Sequence, residues 1–232
     1  MYEKYFKRFL DFSLSLLAMI VFSPVFIILC VIGAVVMKGN PFFIQPRPGK
    51  ISVKTRKEKI FKLIKFRTMS NAKDKNGNIL PDEVRLNKYG KFLRSTSLDE
   101  LPELVNILIG DMSIVGPRPQ LVRDMVFMSQ QQRERHKVRP GLTGLAQVNG
   151  RNNITWEEKF KWDLTYINSG ITFWSDCKII LQTVGKVLKR SDTVREGTSS
   201  DIDFGDYLLQ QHKISEDVYV NRREEAKDLL NV

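Results

Sequence analysis

Two adjacent carboxylates, Asp99 and Glu100, are the residues of this 232-residue chain best suited to chemistry. They stand at the start of an apolar helical pattern, and Arg118 follows them in a Gly-Pro-Arg-Pro segment. An ionised Asp can attack phosphorus, and Mg²⁺ prefers carboxylate ligands shared with substrate phosphates. An arginine between two prolines has little backbone freedom, which favours bidentate phosphate binding. The pattern therefore predicts metal-assisted chemistry on a phosphate.

A purely structural interpretation of the same pair stays open. Ser97 and Glu100 have the spacing of a capping box, in which both side chains satisfy backbone donors at a helix start. Asp99 would then only complement the positive end of the helix dipole. Pro102 would lie past the first turn of such a helix, which favours a later helix start. In either interpretation, a helix start near Asp99 would keep its carboxylate ionised and attract phosphate.

Three more cations, Lys65, Arg67 and Arg151, are candidates for phosphate binding. In a chain with a net charge of +11, most such residues belong to a solvated basic face. This charge favours an anionic partner, such as nucleic acid, an anionic membrane surface or a phosphorylated substrate. The sequence contains no recognisable nucleic-acid-binding module and no His/Cys cluster with zinc-ligand spacing. Nucleic acid is therefore not expected as the partner.

The chain also contains a long hydrophobic run, from residue 12 to residue 37, without a charged side chain. As a helix it would be about 39 Å long, enough to cross a hydrocarbon core of about 30 Å. A cleaved signal peptide is disfavoured because the run is too long and no cleavage site follows. Ser23-Pro24 lies near its middle and must kink or break the helix. Lys and Arg flank both ends of the run, which slightly favours a re-entrant helix because positive residues prefer the cytoplasmic side. On physical grounds alone, a kinked span and a re-entrant helix remain nearly equally favoured.

The rest of the chain predicts a mainly α fold with a small β-hairpin. Strands are predicted at residues 42–44 and 60–67 with a loop at 46–49 between them, helices at 98–109, 121–135, 156–166 and 175–190, and a glycine-rich loop at 141–150. The helix at 175–190 is strongly amphipathic. Its apolar face would either pack on the core or lie in a membrane interface.

Four motifs together resemble the bacterial sugar transferases, the monotopic polyprenyl-phosphate phosphoglycosyl transferases. The motifs are KFRTM at 65–69, LDELP at 98–102, GDMSIVGPRP at 110–119 and RPGLTGLAQVNGR at 139–151. The resemblance extends from about residue 1 to about residue 197. It is strongest to the small members, which consist of little beyond the catalytic core.

This resemblance implies a two-step reaction. In the family, the Asp of the Asp-Glu pair attacks the β-phosphate of a UDP-sugar, UMP leaves, and polyprenyl (undecaprenyl) phosphate then accepts the phosphosugar. Such a transfer is the first membrane step of glycoconjugate or polysaccharide biosynthesis. Carried over, Asp99 would be the nucleophile, Glu100 together with Asp99 would hold Mg²⁺, and Arg118 and Arg151 would bind phosphate. An N-acetylated hexosamine or a deoxy derivative is the expected sugar, with galactose or glucose as the alternative.

The resemblance also implies an organisation around the membrane. The family's Ser-Pro break matches Ser23-Pro24 and implies a re-entrant helix at 1–38, with both termini on the cytoplasmic face of the bacterial inner membrane. A catalytic domain with interfacial amphipathic helices would occupy 39–197. The extension at 198–232 departs from the small members and would dock on the domain, form a homodimer contact or be a surface appendage. The alternative function is a non-catalytic, membrane-anchored basic scaffold that binds lipid or nucleic acid.

Overall fold

A computed structural model describes residues 1–150, 154–188 and 202–230 of the protein. Its fold is mainly helical, as predicted, and the described residues form two small sheets, of which only the hairpin was predicted. A single π-helical turn, Tyr2–Phe6, leads into helix α1 (Lys7–Val21), and helix α2 (Ser23–Val36) follows. The predicted helix at 156–166 is confirmed as α9 (Trp156–Asn168), and the one predicted at 175–190 is confirmed as α10 (Phe173–Leu188), with residues 189–190 outside the described part of the chain.

The hydrophobic run bends by 65° between α1 and α2. Phe22 lies between the two helices, and the Ser23 hydroxyl donates to the Ile20 carbonyl at 2.8 Å. Pro24 stands in the first turn of α2, where a missing backbone N–H costs no intrahelical hydrogen bond. Within the described ranges, no single helix has the length and apolar composition needed to cross a membrane, although the bent pair taken together does.

The predicted hairpin is formed by β1 (Phe42–Ile51) and β2 (Glu58–Phe66), which pair in antiparallel register with Phe42 opposite Phe66. The predicted loop at 46–49 is wrong, because these residues continue β1. Pro46 and Pro48 are tolerated there since β1 is an edge strand of the sheet that the described residues form. The hairpin is therefore longer than its alternating apolar residues suggest.

The centre of the chain consists of short elements. They are α3 (Asp82–Arg85), α4 (Lys88–Thr96), a 3₁₀ turn at Leu98–Glu100, α5 (Glu103–Ile109), β3 (Ser113–Val115), α6 (Val122–Met125), α7 (Gln130–Arg133), a 3₁₀ turn at Glu134–Lys137, β4 (Gly141–Thr143) and α8 (Leu145–Val148). The single helix predicted at 121–135 is wrong. Ser129 and Gln132 form a capping box that starts α7 anew, so the segment is divided.

The glycine-rich loop predicted at 141–150 is also wrong, since this segment forms β4 and α8. Strand β4 pairs in parallel with β3. A Cβ atom on Gly141 would lie 2.1 Å from the Gly116 nitrogen, so only glycine allows the two segments to approach this closely. The second sheet thereby fixes the segment that leads into Arg118.

Helix α1 is held against this central part by charged side chains. Lys7 lies 2.5 Å from Asp176, and the Arg8 guanidinium donates to two carbonyls in the last turn of α5 at 2.5 and 2.7 Å. The Asp11 carboxylate accepts from the Ser113 hydroxyl at 2.7 Å. These contacts place α1 next to α5 and β3.

Helices α9 (Trp156–Asn168), α10 (Phe173–Leu188), α11 (Phe204–Gln210) and α12 (Glu216–Leu230) complete the fold. Part of the apolar face of helix α10 packs on the core, as the first interpretation of its amphipathic pattern predicts. Ile179 is buried in the core, whereas Trp174 and Leu181 are 78% and 72% exposed. Helices α11 and α12 pack against α6 and α9 of the same chain, which is the docking alternative for the C-terminal extension.

Candidate active site

The 3₁₀ turn at Leu98–Glu100 presents the two carboxylates. Ser97 ends α4 with a φ of +56°, in the left-handed region, and thereby redirects the chain into this turn. Helix α5 begins only at Glu103, after Pro102, so the late start favoured by the proline is confirmed. The capping box predicted for Ser97 and Glu100 is wrong. No side-chain capping hydrogen bond forms at the start of this turn, and Glu100 faces cations instead.

Glu100 is held by two of the four predicted phosphate-binding cations, Arg118 and Lys65. Arg118 Nη2 donates to Glu100 Oε1 at 2.7 Å, and Lys65 Nζ donates to the same oxygen at 2.9 Å. Lys65 Nζ also lies 3.0 Å from Glu103 Oε1. We call Lys65, Asp99, Glu100, Glu103 and Arg118 the charge cluster. Four of them are thus linked by contacts of 3.0 Å or less.

The charge cluster separates the pKa values of its carboxyl groups. Burial alone would raise the pKa of Glu100, but Arg118 and Lys65 outweigh it and hold this pKa far below its usual range. Burial and the neighbouring charge of Glu100 raise the pKa of Asp99 to about 6. Burial also raises the pKa of Glu103, to about 7, against the opposing charge of Lys65.

The expectation that a helix start stabilises the Asp99 carboxylate is therefore wrong in direction. Helix α5 begins four residues after Asp99, and burial together with the charge of Glu100 raises the pKa of this carboxyl group. With a pKa of about 6, Asp99 is still about nine-tenths ionised at pH 7. The Asp99 carboxylate is therefore more basic than usual, whereas the neighbouring Glu100 carboxylate stays ionised.

Asn106, on α5, joins this helix to the strand that carries Lys65. Its side-chain oxygen accepts from the Ile64 N–H at 3.0 Å, and its amide group donates to the Lys62 carbonyl at 2.8 Å. Asn106 is completely buried, so these two hydrogen bonds satisfy its side chain without water. Sequence reasoning missed this residue. The sequence signal that could have indicated Asn106 is an amide side chain among the apolar residues of α5.

Two arginines, the buried Arg135 and the partly buried Arg47, fix the backbone around Arg118. Arg135 Nη2 donates to the Arg118 carbonyl at 2.7 Å and also pairs with Asp163 at 2.6 Å. Arg47 Nη1 donates to the Pro119 carbonyl at 3.0 Å. Together with the flanking prolines, these bonds hold the segment that presents Arg118 to Glu100. Sequence reasoning missed both arginines because a buried and an exposed arginine look alike in a basic sequence.

The other predicted cations are placed differently. Arg67 Nε donates to the nearby Met69 carbonyl at 3.1 Å, so this donor serves its own loop and not the charge cluster. Arg151 lies outside the described residues. Arg94, which sequence reasoning missed, faces Asp99 electrostatically and favours its ionised form, while its Nε donates to Thr68 at 3.1 Å.

The carboxylates fit a magnesium ion that is shared with substrate. Within the described ranges, no group of three or more His, Cys, Asp or Glu side chains is placed to hold a metal ion. Asp99 and Glu100 nevertheless supply adjacent hard oxygen donors, and their mutual repulsion helps raise the pKa of Asp99. A divalent cation would relieve that repulsion. Mg²⁺ commonly takes one or two protein carboxylates and completes its shell with phosphate and water.

A largely apolar cavity of about 310 Å³ adjoins the charge cluster. Glu100 and Arg118 line it, together with Phe22 from the α1–α2 bend, Leu101 near the start of α5 and Ile180 from α10. A ligand in this cavity would contact charged groups and hydrocarbon walls at once. The arrangement suits an amphiphile with an anionic head.

Comparison with known proteins identifies the family. The sequence model described as bacterial sugar transferase matches residues 2–190. The chain is 47% identical to the sugar transferase EpsL of Bacillus subtilis over 184 residues, which is 78% of this chain and 87% of EpsL.

Two longer relatives carry more specific names. Identity is 41% over 191 residues to UDP-glucose:undecaprenyl-phosphate glucose-1-phosphate transferase of Klebsiella pneumoniae, covering 78% of this chain and 40% of that protein. It is 32% over 206 residues to undecaprenyl-phosphate galactose phosphotransferase of Salmonella typhimurium, covering 81% and 41%. The chain thus spans about two-fifths of these two relatives and most of EpsL. By the extent of the family match and by these identities, the chain belongs to the bacterial sugar transferase family of enzymes.

Proposed function

We propose that the protein transfers a sugar phosphate from a UDP-sugar to polyprenyl phosphate, such as undecaprenyl phosphate, and releases UMP. The observation that carries this proposal is the charge cluster beside the apolar cavity, since it offers a carboxylate nucleophile, two cations and space for a lipid next to one another. The names of the Klebsiella and Salmonella relatives, which refer to undecaprenyl phosphate and hexose phosphates, support the same reaction class.

In the first half of the proposed reaction, the Asp99 carboxylate attacks the β-phosphorus of the UDP-sugar. A bond forms between Asp99 and phosphorus, and the bond from that phosphorus to the bridging oxygen breaks, so UMP leaves with the electron pair. Arg118 and Lys65 lie where they can neutralise phosphate charge. Glu100 and Asp99 would hold Mg²⁺, which supplies further charge neutralisation on the diphosphate when bound.

In the second half, an oxygen of polyprenyl phosphate attacks the phosphorus of the Asp99 adduct. The Asp99 carboxylate leaves, which regenerates the enzyme and yields the polyprenyl-diphosphate-sugar. The apolar walls of the cavity, including Phe22 and Ile180, are suited to the first isoprene units of the lipid. The lipid phosphate would then lie near Arg118 and Glu100, which line the same cavity.

The N-terminal helices suit a re-entrant membrane anchor. Helix α2 has 14 residues, or about 21 Å of helix, which is shorter than a hydrocarbon core of about 30 Å. Ile27, Val31 and Val35 on α2 are 61–72% exposed to solvent, an apolar surface that a bilayer would cover. We place the protein at the cytoplasmic face of the bacterial inner membrane, with both termini on that face, because Lys and Arg flank both ends of the run.

The experiment that tests the proposal is a panel of UDP-sugars assayed for UMP release with undecaprenyl phosphate and Mg²⁺. The panel includes N-acetylated hexosamines and their deoxy derivatives, which the resemblance to the small family members favours. It also includes glucose and galactose, which the relatives' names favour. We expect release with at least one donor, and its loss in Asp99→Asn but not in Asp217→Asn, an exposed carboxylate of α12. The scaffold alternative predicts no UMP release with any donor and unchanged lipid binding by Asp99→Asn.

A further inference from the structure

The C-terminal segment of the chain packs against two parts of the protein that are connected to the Arg118 segment, namely helix α6 and the aromatic cluster on α9. We call residues 202–230, which contain α11 and α12, the C-terminal clasp. It lies beyond residues 2–190, the part matched by the family model. Its packing on α6 and α9 therefore supplies contacts to the core from a segment outside the family match.

The first contact of the clasp is through the buried carboxylate of Asp124. Asp124 Oδ2 accepts from the Leu121 N–H at 3.1 Å, at the start of α6 and three residues after Arg118. Its Oδ1 accepts from the Phe204 N–H at 2.9 Å. An ion pair of 2.7 Å between Arg123 and Asp203 reinforces the same junction. One carboxylate therefore ties the clasp to the backbone that follows Arg118.

The second contact is through an aromatic cluster. The Phe204 ring is buried against Trp156 and Phe160, with ring centroids 4.9 and 5.1 Å apart. The Phe160 ring in turn lies 5.9 Å from the guanidinium of Arg135. Arg135 is the residue that donates to the Arg118 carbonyl at 2.7 Å. The clasp is thus connected to the Arg118 segment by two routes, one through Asp124 and one through Phe160 and Arg135.

We propose that the C-terminal clasp positions Arg118 for binding the diphosphate of the sugar donor. Phe204 and Asp203 are positioning residues, because Phe204 acts through Asp124 on one side and through Phe160 and Arg135 on the other. Asp203 acts through its ion pair with Arg123. This inference rests on the proposed function, in which Arg118 binds phosphate. Bidentate contact to phosphate tolerates little displacement of the guanidinium, so loosening its support weakens donor binding.

The test uses Phe204→Ala in the full-length protein, with steady-state kinetics of UMP release. We expect the KM for the UDP-sugar to rise by about tenfold while kcat changes by less than about threefold. Val220→Ala, at an exposed position of α12, is the matched control and should behave as the unsubstituted protein. Equal KM values for Phe204→Ala and Val220→Ala would overturn the inference.

A double-mutant cycle separates a positioning role from a general structural role. If the clasp acts through Arg118, adding Phe204→Ala to Arg118→Lys should change the KM by less than about twofold. Multiplicative effects of the two substitutions would contradict the inference. Should Phe204→Ala fail to fold, Asp203→Asn removes the ion pair with Arg123, keeps the aromatic cluster, and should raise the KM in the same direction.

Hydrogen exchange gives a readout that does not depend on activity. Phe204→Ala should speed exchange of the amides in residues 120–126 and leave that of β1 and β2 unchanged. Unchanged exchange in residues 120–126 would overturn the inference even if no donor were found. Absence of UMP release from the unsubstituted protein would instead contradict the proposed function, so the two failures are distinguishable.

Discussion

Lowering the pH should protonate Asp99, the proposed nucleophile, within a pH range in which activity can be measured. Burial and the charge of Glu100 raise the pKa of Asp99 to about 6, and only its carboxylate form can attack phosphorus. At about pH 7.5 nearly all of the Asp99 side chains are ionised, whereas at about pH 5 roughly one in ten is. We therefore expect kcat/KM for the UDP-sugar to fall by about tenfold between these two values.

The assay is a pH profile of kcat/KM for UMP release at Mg²⁺ concentrations well below saturation. Glu103 requires a control, because burial raises its pKa to about 7 and it also contacts Lys65. Glu103→Gln removes this titration and should leave an acidic limb with an apparent pKa near 6. An ordinary aspartate would instead give a midpoint near 4. A midpoint near 4, or loss of the limb in Glu103→Gln, would refute the assignment of the limb to Asp99.

Three further predictions concern the residues around the nucleophile. Arg118→Lys should raise the KM for the UDP-sugar by about tenfold in initial-rate measurements, because a lysine cannot replace a bidentate guanidinium. Asn106→Ala should lower the free energy of unfolding by about 2–4 kcal/mol in denaturant titration, because the Ile64 N–H and the Lys62 carbonyl lose their partner. Chelation of Mg²⁺ should abolish UMP release, and raising the Mg²⁺ concentration should move the acidic limb to lower pH, because cation and proton compete for the carboxylates.

Each of these predictions has an outcome that contradicts it. An unchanged KM in Arg118→Lys would remove this residue from phosphate binding. A stability loss below about 0.5 kcal/mol in Asn106→Ala would mean that its two hydrogen bonds do not hold β2 to α5. Full activity in the presence of a chelator would exclude a metal ion at Asp99 and Glu100.

Much of the site could be located from the sequence because its motifs are short and local. The adjacent Asp99 and Glu100, and an arginine fixed by two prolines, are visible without any knowledge of the fold. Periodicity likewise indicated the hairpin, α9 and α10, since regular spacing of apolar residues reflects burial on one face. The contact between Lys65 and Glu100 was not predictable in this way. It depends on Asn106, whose hydrogen bonds to β2 join segments about 40 residues apart.

Other predictions from the sequence were wrong or missing because tertiary contacts outweighed the local sequence signals. The capping-box spacing of Ser97 and Glu100 was overridden by the left-handed backbone of Ser97 and by the cations facing Glu100. The raised pKa of Asp99 depends on burial and on its neighbour, which the dipole argument did not include. Arg135 could not be distinguished from a solvated arginine, because its burial depends on Asp163 in a different helix.

The most direct test of the central claim is detection of a phosphosugar on Asp99. The protein would be incubated with its UDP-sugar and Mg²⁺ without lipid, quenched rapidly, and the peptide containing residue 99 analysed by mass spectrometry. We expect an increment of one sugar phosphate on Asp99, with matching UMP release, and loss of this increment on addition of undecaprenyl phosphate. UMP release that requires the lipid from the outset, with no adduct on Asp99, would contradict this claim.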